Sequence, residues 1–514
     1  MTEDDRLERL VNGVLWPGFL GDVLPAWLAA ALTDGLAGVV YFAQNLGGDT
    51  AALSAEIHRT APHALIGIDE EGGSVTRIET TTGSTVPGAA QLGALDDLDA
   101  TRATAYEIGR RVDRIGADVV IGPVADVNTD PRNPVIGVRA FGSDTALVSR
   151  HVAAYVQGLQ DAGVAGCAKH YPGHGDTHTD SHHDLPRLAL SQDEIEAVHL
   201  PPFAAAADAG VRAIMTAHIT APHWGHEPVT LNGKALGELR ESGFEGVIIT
   251  DALDMAAIRE TVGIGGGAVQ ALAAGADLLC IGNPTNPGAA MLADQDERDY
   301  LAARDAIVAA VRSGALPRER VQDAAARVAS MADAVRSRTP AADVPFDADT
   351  IADRALHVDG HLEAFTDGPT RGIDLRRPSS LAVDSSASHV ALALAAGGEI
   401  VRLHAAATSH GEASDAHIGA LEIDALAAEL TAADVAASEP TQTVILVDRI
   451  EEGAPQRALL DGIRTTLPHA VVVNVGLAAE IDGPAITVSA ASLLAARAAR
   501  RTLLNPPAPD RKKS

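Results

Sequence analysis

A series of short apolar runs, separated by Ala-rich segments, is the feature that most constrains the fold of this chain. The Ala-rich segments have helical periodicity, as at 144–162, 192–210 and 298–313. Strands that alternate with helices are typical of βαβ units and a parallel sheet. Seven or more such units in a row favour a TIM-type (β/α)8 barrel, with an open doubly wound sheet as the alternative. The apolar runs are GVVYF (38–42), ALIGID (64–69), DVVIGP (118–123), VAGCAKH (164–170), RAIMTAH (212–218), GVIITD (246–251) and DLLCIG (277–282).

The same pattern predicts two domains. We expect a catalytic barrel over residues 1–336, ending in a helix at 317–335, and a linker over 337–352 that is rich in Pro, Asp and Thr. A second set of apolar runs predicts a smaller α/β sandwich domain over 353–505, followed by a disordered tail at 506–514. The strands predicted for this second domain are at 379–384, 389–396, 443–448, 470–475 and 485–490.

Charge and composition exclude several classes of partner. The net charge of −30 disfavours binding to nucleic acid or to anionic membranes. The chain begins MTEDDRLERL, without a basic segment leading into a long apolar stretch, and it contains no apolar run of 18 residues. We therefore expect a cytoplasmic protein without a membrane span. Cys167 and Cys280 lie in apolar runs and are predicted to be buried free thiols. Nothing in the sequence indicates an oligomeric state.

Several predicted barrel strands end on an ionisable residue. These residues are Asp69, Lys169 with His170, His218 and Asp251. A helix cap or a solvated loop position would explain any one of them. The carboxyl ends of barrel strands meet at one mouth, where ligands bind, so the group together predicts a site.

The segment after the fourth apolar run of the series, KHYPGHGDTHTDSHHDLP (169–186), is rich in histidine. It allows three interpretations. A zinc site is the first, but the spacing matches no compact zinc signature and no HExxH is present. The second is a polar loop in which the imidazoles hydrogen-bond to one another. The third is acid–base catalysis, in which Asp180 fixes the tautomer of His182 and raises its basicity. The histidines are His170, His174, His178, His182 and His183.

Two further segments bear on the chemistry. In GVIITDALDM, Asp251 follows an apolar strand and is the better candidate for a nucleophile. Asp254 is expected in the first turn of the next helix, where its charge favours the helix N-terminus. The glycine run at 263–267 follows a predicted helix, so we interpret it as a turn before the next helix and not as a phosphate loop.

Five motifs follow one another along the chain. They are IGIDEEGGSVTRI (66–78), VADVNTDPRNPVIGVRAFG (124–142), KHYPGHGDTHTDSHHDLP (169–186), IMTAHI (214–219) and IITDALDM (248–255). In this order they resemble the motifs of family 3 glycoside hydrolases, over roughly residues 10–335. The loop that ends in Asp-Ser-His and Leu-Pro resembles the β-N-acetylglucosaminidase branch in particular. The region 360–505 is similar only by position and pattern to the sandwich domain that follows the barrel in many members.

The resemblance implies a role for each matching residue. Asp251 matches the catalytic nucleophile, and His182 with its partner Asp180 matches the general acid/base. His218 and Met255 are expected to line the same pocket as the residues that hold the terminal sugar. One departure is Glu70, which stands where a Gln commonly follows the first motif's Asp. The sugar-holding positions are matched by Asp69, Arg77, Arg139, Lys169 and His170.

The implied activity is retaining hydrolysis of a terminal β-linked N-acetylglucosamine, without metal or cofactor. Recycled cell-wall (peptidoglycan) fragments and chitin-derived oligosaccharides both fit as substrates. A phosphorylase is the first alternative, because a neutral acid/base repels phosphate less than a carboxylate does. A β-glucosidase and a non-catalytic sugar-binding relative are further alternatives, although the Asp-Ser-His loop and the intact Asp251 argue against them.

Overall fold

A computed structural model of the chain describes residues 2–177, 185–286, 292–338, 340–341, 344–379, 387–403, 442–450 and 455–508. Up to residue 336 the described chain is an α/β unit with a parallel sheet, as the alternating pattern predicts. Its strands are β1 (Leu15–Pro17), β2 (Gly38–Tyr41), β3 (Leu65–Ile68), β4 (Val119–Val120), β5 (Ala165–Tyr171), β6 (Ala213–Thr216), β7 (Val247–Ile249) and β8 (Leu279–Gly282).

These strands form a barrel-like arrangement. β2 to β7 pair in chain order and in parallel, and β1 pairs in parallel with β8. A parallel bridge between Ile249 and Leu278 joins β7 to the start of β8. On the other side, the amide of Ala37, just before β2, donates to the carbonyl of Asn12, just before β1, at 2.9 Å. The carboxyl ends of all these strands therefore point to one end of the unit.

At least one helix follows each strand. The α-helices of this unit are α1 (Glu3–Asn12), α2 (Ala26–Thr33), α3 (Thr50–Thr60), α4 (Ala89–Leu95), α5 (Leu98–Arg114), α6 (Thr145–Asp161), α7 (Gln192–Glu194), α8 (Pro201–Asp208), α9 (Gly233–Glu241), α10 (Ala256–Arg259), α11 (Gly263–Ala274), α12 (Gln295–Ser313) and α13 (Arg318–Arg336). A π-helical turn at Ile195–His199 interrupts the helix predicted at 192–210. The glycine run at 263–267 forms the first turn of α11 and not a separate turn before it.

The interior of the barrel is small and apolar. Every second residue of the strands points inward, so pairs such as Val119 with Ile121 and Val247 with Ile249 enter one buried cluster. Cys167 and Cys280 belong to this cluster and are buried free thiols, which confirms the prediction for them. Val328, Met331 and Ala332 of α13 join the cluster. The Arg336 side chain donates to the Ala64 carbonyl ahead of β3, so α13 lies at the amino ends of the strands and leaves the opposite end open.

A second unit, which we define as residues 348–508, contains a six-stranded sheet. Its elements are α14 (Ala348–Ala355), β9 (His357–Asp359), β10 (Arg371–Asp374), α15 (Ser388–Ala395), β11 (Ile400–Arg402), β12 (Thr443–Val447), α16 (Pro455–Thr466), β13 (Val471–Asn474), β14 (Ala485–Thr487) and α17 (Leu493–Leu504). The strand order is β11-β10-β12-β13-β14-β9, parallel except for the antiparallel pairing of β9 with β14. Apolar clusters cover both faces, with α15 and α17 on one and α16 on the other.

Two details of the second unit differ from the sequence-based prediction. The run at 389–396 forms helix α15 and not a strand, because a short run composed mainly of Ala, Leu and Val satisfies either period. α14 begins at Ala348, inside the predicted linker 337–352, where the Asp347 carboxylate caps its first turn. The predicted strand at 379–384 and the tail at 506–514 lie largely outside the described residues. The bounds of the two predicted domains stay a prediction.

Among the described residues, no helix combines the length and the apolar character that crossing a membrane requires.

Candidate active site

The carboxyl ends of β3, β5 and β7 bring ionisable residues into one cavity, as the sequence predicts. Asp69 follows β3, Lys169 and His170 lie near the end of β5, and Asp251 follows β7. Arg77 and Arg139 reach the same cavity from the loops after β3 and β4. The other lining residues are Val40, Phe42, Glu71, Val75, Ile121, Val135, His174, Met215, Ala252 and Cys280. We call this space the sugar cavity, after the role that the sequence predicts for it.

A network of buried ion pairs forms the floor of the sugar cavity. The Lys169 ammonium lies 2.7 Å from Asp69 Oδ1 and 2.6 Å from Glu71 Oε1, and Lys169 is 2% exposed. Burial lowers the pKa of Lys169, but the two carboxylates outweigh it and hold that pKa above its ordinary value. Burial also opposes the charged form of Asp69 by raising its pKa, but the charges of Lys169 and Arg77 bring that pKa below its ordinary value. These groups are therefore charged at neutral pH.

Glu71 is the residue of this network that the sequence analysis missed. Its carboxylate accepts from Arg139 Nε at 3.0 Å and from Arg139 Nη2 at 2.8 Å, a bidentate pair, in addition to the contact with Lys169. Burial opposes its ionisation, but Arg139 and Lys169 hold the pKa of Glu71 well below its ordinary value. The available signal was the run of two further carboxylates, Glu70 and Glu71, after the strand-end Asp69, yet such residues more often face solvent.

Glu70, the departure from the family motif, shapes the loop and does not line the sugar cavity. Its Oε2 accepts the backbone amides of Arg77 at 2.7 Å and of Ile78 at 3.0 Å. Burial raises the pKa of Glu70, and these hydrogen bonds offset only part of that shift. The Arg77 guanidinium then lies 4.0 Å from Asp69 Oδ2. Glu70 therefore places Arg77 beside the first carboxylate of the site.

His170 is oriented by Asp126, which the sequence analysis also missed. Asp126 is fully buried; its Oδ2 contacts His170 Nδ1 at 2.8 Å, and its Oδ1 accepts the amide of His174 at 2.7 Å. Burial raises the pKa of Asp126, and the facing His170 brings it below its ordinary value. Burial lowers the pKa of His174 to about 4, so this second cavity imidazole is neutral at neutral pH. A carboxylate that fixes one ring nitrogen leaves the other to face a ligand.

Asp251 lies on the wall of the cavity that β7 provides. Its Oδ1 accepts the backbone amide of Ala252 at 2.8 Å, which fixes the direction of the carboxylate. Its side chain lines the same cavity as Lys169, Asp69 and Arg139. A carboxylate held in this way can attack an electrophilic carbon that the ion-pair network positions.

Two residues predicted to line the pocket do not line it. His218 is fully buried, with Nδ1 2.9 Å from Thr230 Oγ1 and Nε2 2.9 Å from the carbonyl of Ala252. Met255 is buried and precedes α10 at its N-cap. His218 therefore supports the Asp251–Ala252 turn from behind. The motif match identifies a position in the chain and does not reveal the direction in which its side chain points.

Asp254 precedes α10 instead of occupying its first turn. Its Oδ2 accepts from the side-chain amide of Asn286 at 2.8 Å, away from the sugar cavity. The predicted acid/base pair, Asp180 and His182, lies outside the described residues. Among the side chains that the structure describes, no cluster of three or more His, Cys, Asp or Glu is arranged to hold a metal ion.

Among the residues that the structure describes, the charges that line the sugar cavity balance. Three carboxylates, those of Asp69, Glu71 and Asp251, face three cations, which are Arg77, Arg139 and Lys169. Such a surface offers many hydrogen-bond donors and acceptors without net charge. It suits a neutral polyhydroxylated ligand better than a phosphate or a nucleotide.

Comparison with known proteins assigns the family. Residues 29–331 match the glycosyl hydrolase family 3 N-terminal domain. The match covers more than half of the chain, so this protein belongs to family 3 of the glycoside hydrolases and is an enzyme of that class.

Within this family, the chain is similar to proteins named β-hexosaminidase and β-N-acetylglucosaminidase. A β-hexosaminidase of Chromobacterium violaceum is 38% identical over 268 residues, which are 50% of this chain and 74% of that relative. β-Hexosaminidase A of Pseudoalteromonas piscicida is 34% identical over 270 residues, 47% of this chain but only 45% of that longer relative. The solved family 3 β-N-acetylglucosaminidase of Paenibacillus sp. str. FPU-7 is 29% identical, with a TM-score of 0.79 over 97% of this chain and 96% of that one.

Proposed function

We propose that this chain is a retaining exo-β-N-acetylglucosaminidase, which removes terminal β-linked N-acetylglucosamine from glycosides or cell-wall fragments. The observation that carries the proposal is that Asp251 shares one cavity with the Asp69–Lys169–Glu71 network. The relatives named β-hexosaminidase and the solved β-N-acetylglucosaminidase support the substrate class.

The terminal sugar is held by the groups at the floor of the cavity. The carboxylate of Asp69 accepts from sugar hydroxyls, while Lys169, Arg77 and Arg139 donate to hydroxyl and N-acetyl oxygens. His170 contributes the ring nitrogen that Asp126 leaves available. Because the ion pairs fix these donors before binding, the enzyme spends little free energy on ordering them.

Glycosyl transfer proceeds in two steps. Asp251 attacks the anomeric carbon, the bond from that carbon to the leaving oxygen breaks, and protonated His182 gives its proton to that oxygen. His182, now neutral and oriented by Asp180, then takes a proton from a water molecule. That water attacks the anomeric carbon, releases Asp251 and yields the sugar with its configuration retained. An imidazole, with an ordinary pKa of about 6.5, is suited to both transfers near neutral pH.

The acceptor distinguishes the proposal from its main alternative, a phosphorylase. The described wall of the sugar cavity has no excess of cations that would attract phosphate. We expect 4-nitrophenyl N-acetyl-β-glucosaminide to give free N-acetylglucosamine at the same rate with and without phosphate. The 1-phosphate of that sugar as the main product would overturn hydrolysis in favour of phosphorolysis.

The substrate class is tested with a panel of aryl glycosides. We expect turnover of the N-acetylglucosaminide to exceed that of the glucoside and the xyloside by at least about 100-fold, because contacts to the N-acetyl group are lost in both. Preferred turnover of the glucoside would contradict the proposal. Cell-wall disaccharides and chitin oligosaccharides, compared by kcat/KM, then identify the better natural substrate.

A further inference from the structure

The second unit contacts the loop that follows β4 through one arginine. Arg449 comes two residues after β12. Its Nη1 donates to the carbonyl of Arg132 at 3.0 Å, and its Nη2 donates to the carbonyl of Asn133 at 2.6 Å. We call residues 128–139 the β4 loop. A guanidinium that donates to two adjacent carbonyls fixes the backbone direction as well as its distance.

Asn133 passes this constraint into the β4 loop and to the chain after β5. The side chain is 1% exposed, and its Oδ1 accepts the amides of Val135 and Ile136, both at 2.9 Å. Its Nδ2 donates to the carbonyl of His174 at 2.7 Å. Arg449 contacts the backbone of Asn133, and the buried side-chain amide of Asn133 contacts Val135 and His174, two residues that line the sugar cavity.

The β4 loop ends in Arg139, which holds the ion-pair floor. The Arg139 amide donates to the carbonyl of Ile136 at 2.8 Å, and its Nη1 donates to the carbonyl of Val135 at 3.1 Å. The same guanidinium makes the bidentate pair with Glu71. A shift of residues 133–136 would therefore move Arg139 relative to Glu71 and Lys169.

The β4 loop lies between two cavities. Asn133, Pro134 and Ile136 line a cavity of about 190 Å³ between the two units, which Arg449 lines as well. Val135 and Arg139 face the sugar cavity instead, and the two cavities share no lining residue. Val135 and Ile136 pack in a small buried cluster, and the Arg449 hydrogen bonds add a directional restraint that joins this loop to the second unit.

We infer that Arg449 is a positioning residue for the sugar site, through which the second unit holds the β4 loop without touching the sugar. The inference rests on the proposed function for its effect on sugar binding, but not for its effect on the loop. The expected consequence of removing Arg449 is a looser β4 loop and a weaker hold on the terminal sugar.

The test compares Arg449→Ala, Arg449→Lys and the matched control Arg457→Ala. Arg457 also donates to two carbonyls, those of Glu480 at 2.8 Å and Ile450 at 3.4 Å, but both lie within the second unit. We expect Arg449→Ala to speed hydrogen exchange at the amides of Val135 and Ile136 by about tenfold. We also expect KM for the aryl N-acetylglucosaminide and Kd for N-acetylglucosamine to rise by about tenfold, with a smaller change in kcat. Arg449→Lys should recover part of each effect, because an ammonium still donates to a carbonyl.

Each outcome has a defined meaning. Arg457→Ala should leave exchange in the β4 loop and KM as in the parent, while its Tm falls no less than that of Arg449→Ala. Unchanged exchange in the β4 loop of Arg449→Ala would overturn the inference, whatever the substrate is. A parent enzyme that neither binds nor turns over N-acetylglucosaminides would instead overturn the proposed function, and the exchange measurement would still decide the role of Arg449.

Discussion

Two clusters of buried charge lie at the carboxyl ends of parallel strands, one in each unit, and they differ in how they are paired. At the barrel mouth, Lys169 pairs with Asp69 and Glu71 across about 100 positions of the chain. In the second unit, Arg376 makes two hydrogen bonds of 2.8 Å with Asp374, two positions away. Arg376 also donates to the carbonyl of Ala387 and is fully buried.

The two clusters differ in whether their charged groups also face a cavity. The pair in the second unit joins two residues that are two positions apart, with Arg402 Nε as a further contact 3.6 Å from Asp374. Both members of the pair are buried and offer a ligand almost no surface. The network at the barrel mouth is assembled from three strand ends, and its groups also line a cavity. In the barrel unit, the charged groups that line the cavity are those that long-range contacts bring together at the carboxyl ends of strands, where ligands bind in parallel α/β folds.

We expect the largest loss of activity when Asp251, at the barrel mouth, is replaced. Asp251→Asn removes the nucleophile but keeps a side chain of the same size, so kcat should fall by at least about 10³-fold. The control is Asp118→Asn at the amino end of β4, where the carboxylate accepts the amide of Ile66 at 2.8 Å. That variant should keep kcat within about twofold, because the amino ends of barrel strands serve stability. Full activity in Asp251→Asn, measured with the aryl glycoside, would refute the assignment.

A second pair of variants tests whether the two clusters differ in sugar binding while they contribute alike to stability. Lys169→Met takes one cation from Asp69 and Glu71, and Arg376→Met takes the bidentate partner from the buried Asp374, so each should lower the free energy of unfolding by about 3–5 kcal/mol. Urea unfolding at neutral pH measures this loss. Only Lys169→Met should also abolish sugar binding, whereas folded Arg376→Met should keep the KM of the parent. An equal loss of binding in both variants would show that the clusters do not differ in function.

The free energy of unfolding should depend on pH through His174, the buried neutral histidine at the barrel mouth. The pKa of His174 is lowered to about 4 in the folded state. Between pH 6.5 and about 4 the unfolded chain therefore binds a proton that the folded chain does not, and stability falls as pH falls. The contribution reaches about 3 kcal/mol across this window. His174→Gln should show a correspondingly shallower loss of unfolding free energy between pH 6.5 and 4, and an unchanged slope would contradict a neutral buried imidazole.

We expect a small loss of stability when Glu70 is replaced and a large one when its neighbour Glu71 is replaced. Glu70→Gln keeps an acceptor for the amides of Arg77 and Ile78, so stability should change by less than about 1 kcal/mol. Glu71→Gln removes the negative charge that faces the buried cations Arg139 and Lys169, and it should lower the free energy of unfolding by about 3–5 kcal/mol. Thermal unfolding of the two variants side by side measures the difference. Equal losses would mean that Glu70, too, is needed as a charge.

Much of the barrel was predictable because its strands are buried on both faces and appear as continuous apolar runs. β1 was missed, since three residues ending in Pro17 carry too little pattern. The helix α15 was misassigned as a strand, because a run of Ala, Leu and Val fits either period. In the site, strand-end positions identified Asp69, Lys169, His170 and Asp251, which the structure brings together. The assigned roles of these residues, and those of Asp180 and His182, stay predictions.

Local sequence was enough to locate the barrel strands β2 to β8, the residues at their carboxyl ends and the family to which the chain belongs. All three follow from local periodicity and from motifs that are contiguous in the chain. Folding was needed to show that Glu71 and Asp126 complete the site, that His218 is buried against the carbonyl of Ala252, and that Arg449 reaches the β4 loop. These contacts join residues tens to hundreds of positions apart, and the direction of a side chain depends on packing that no local pattern records.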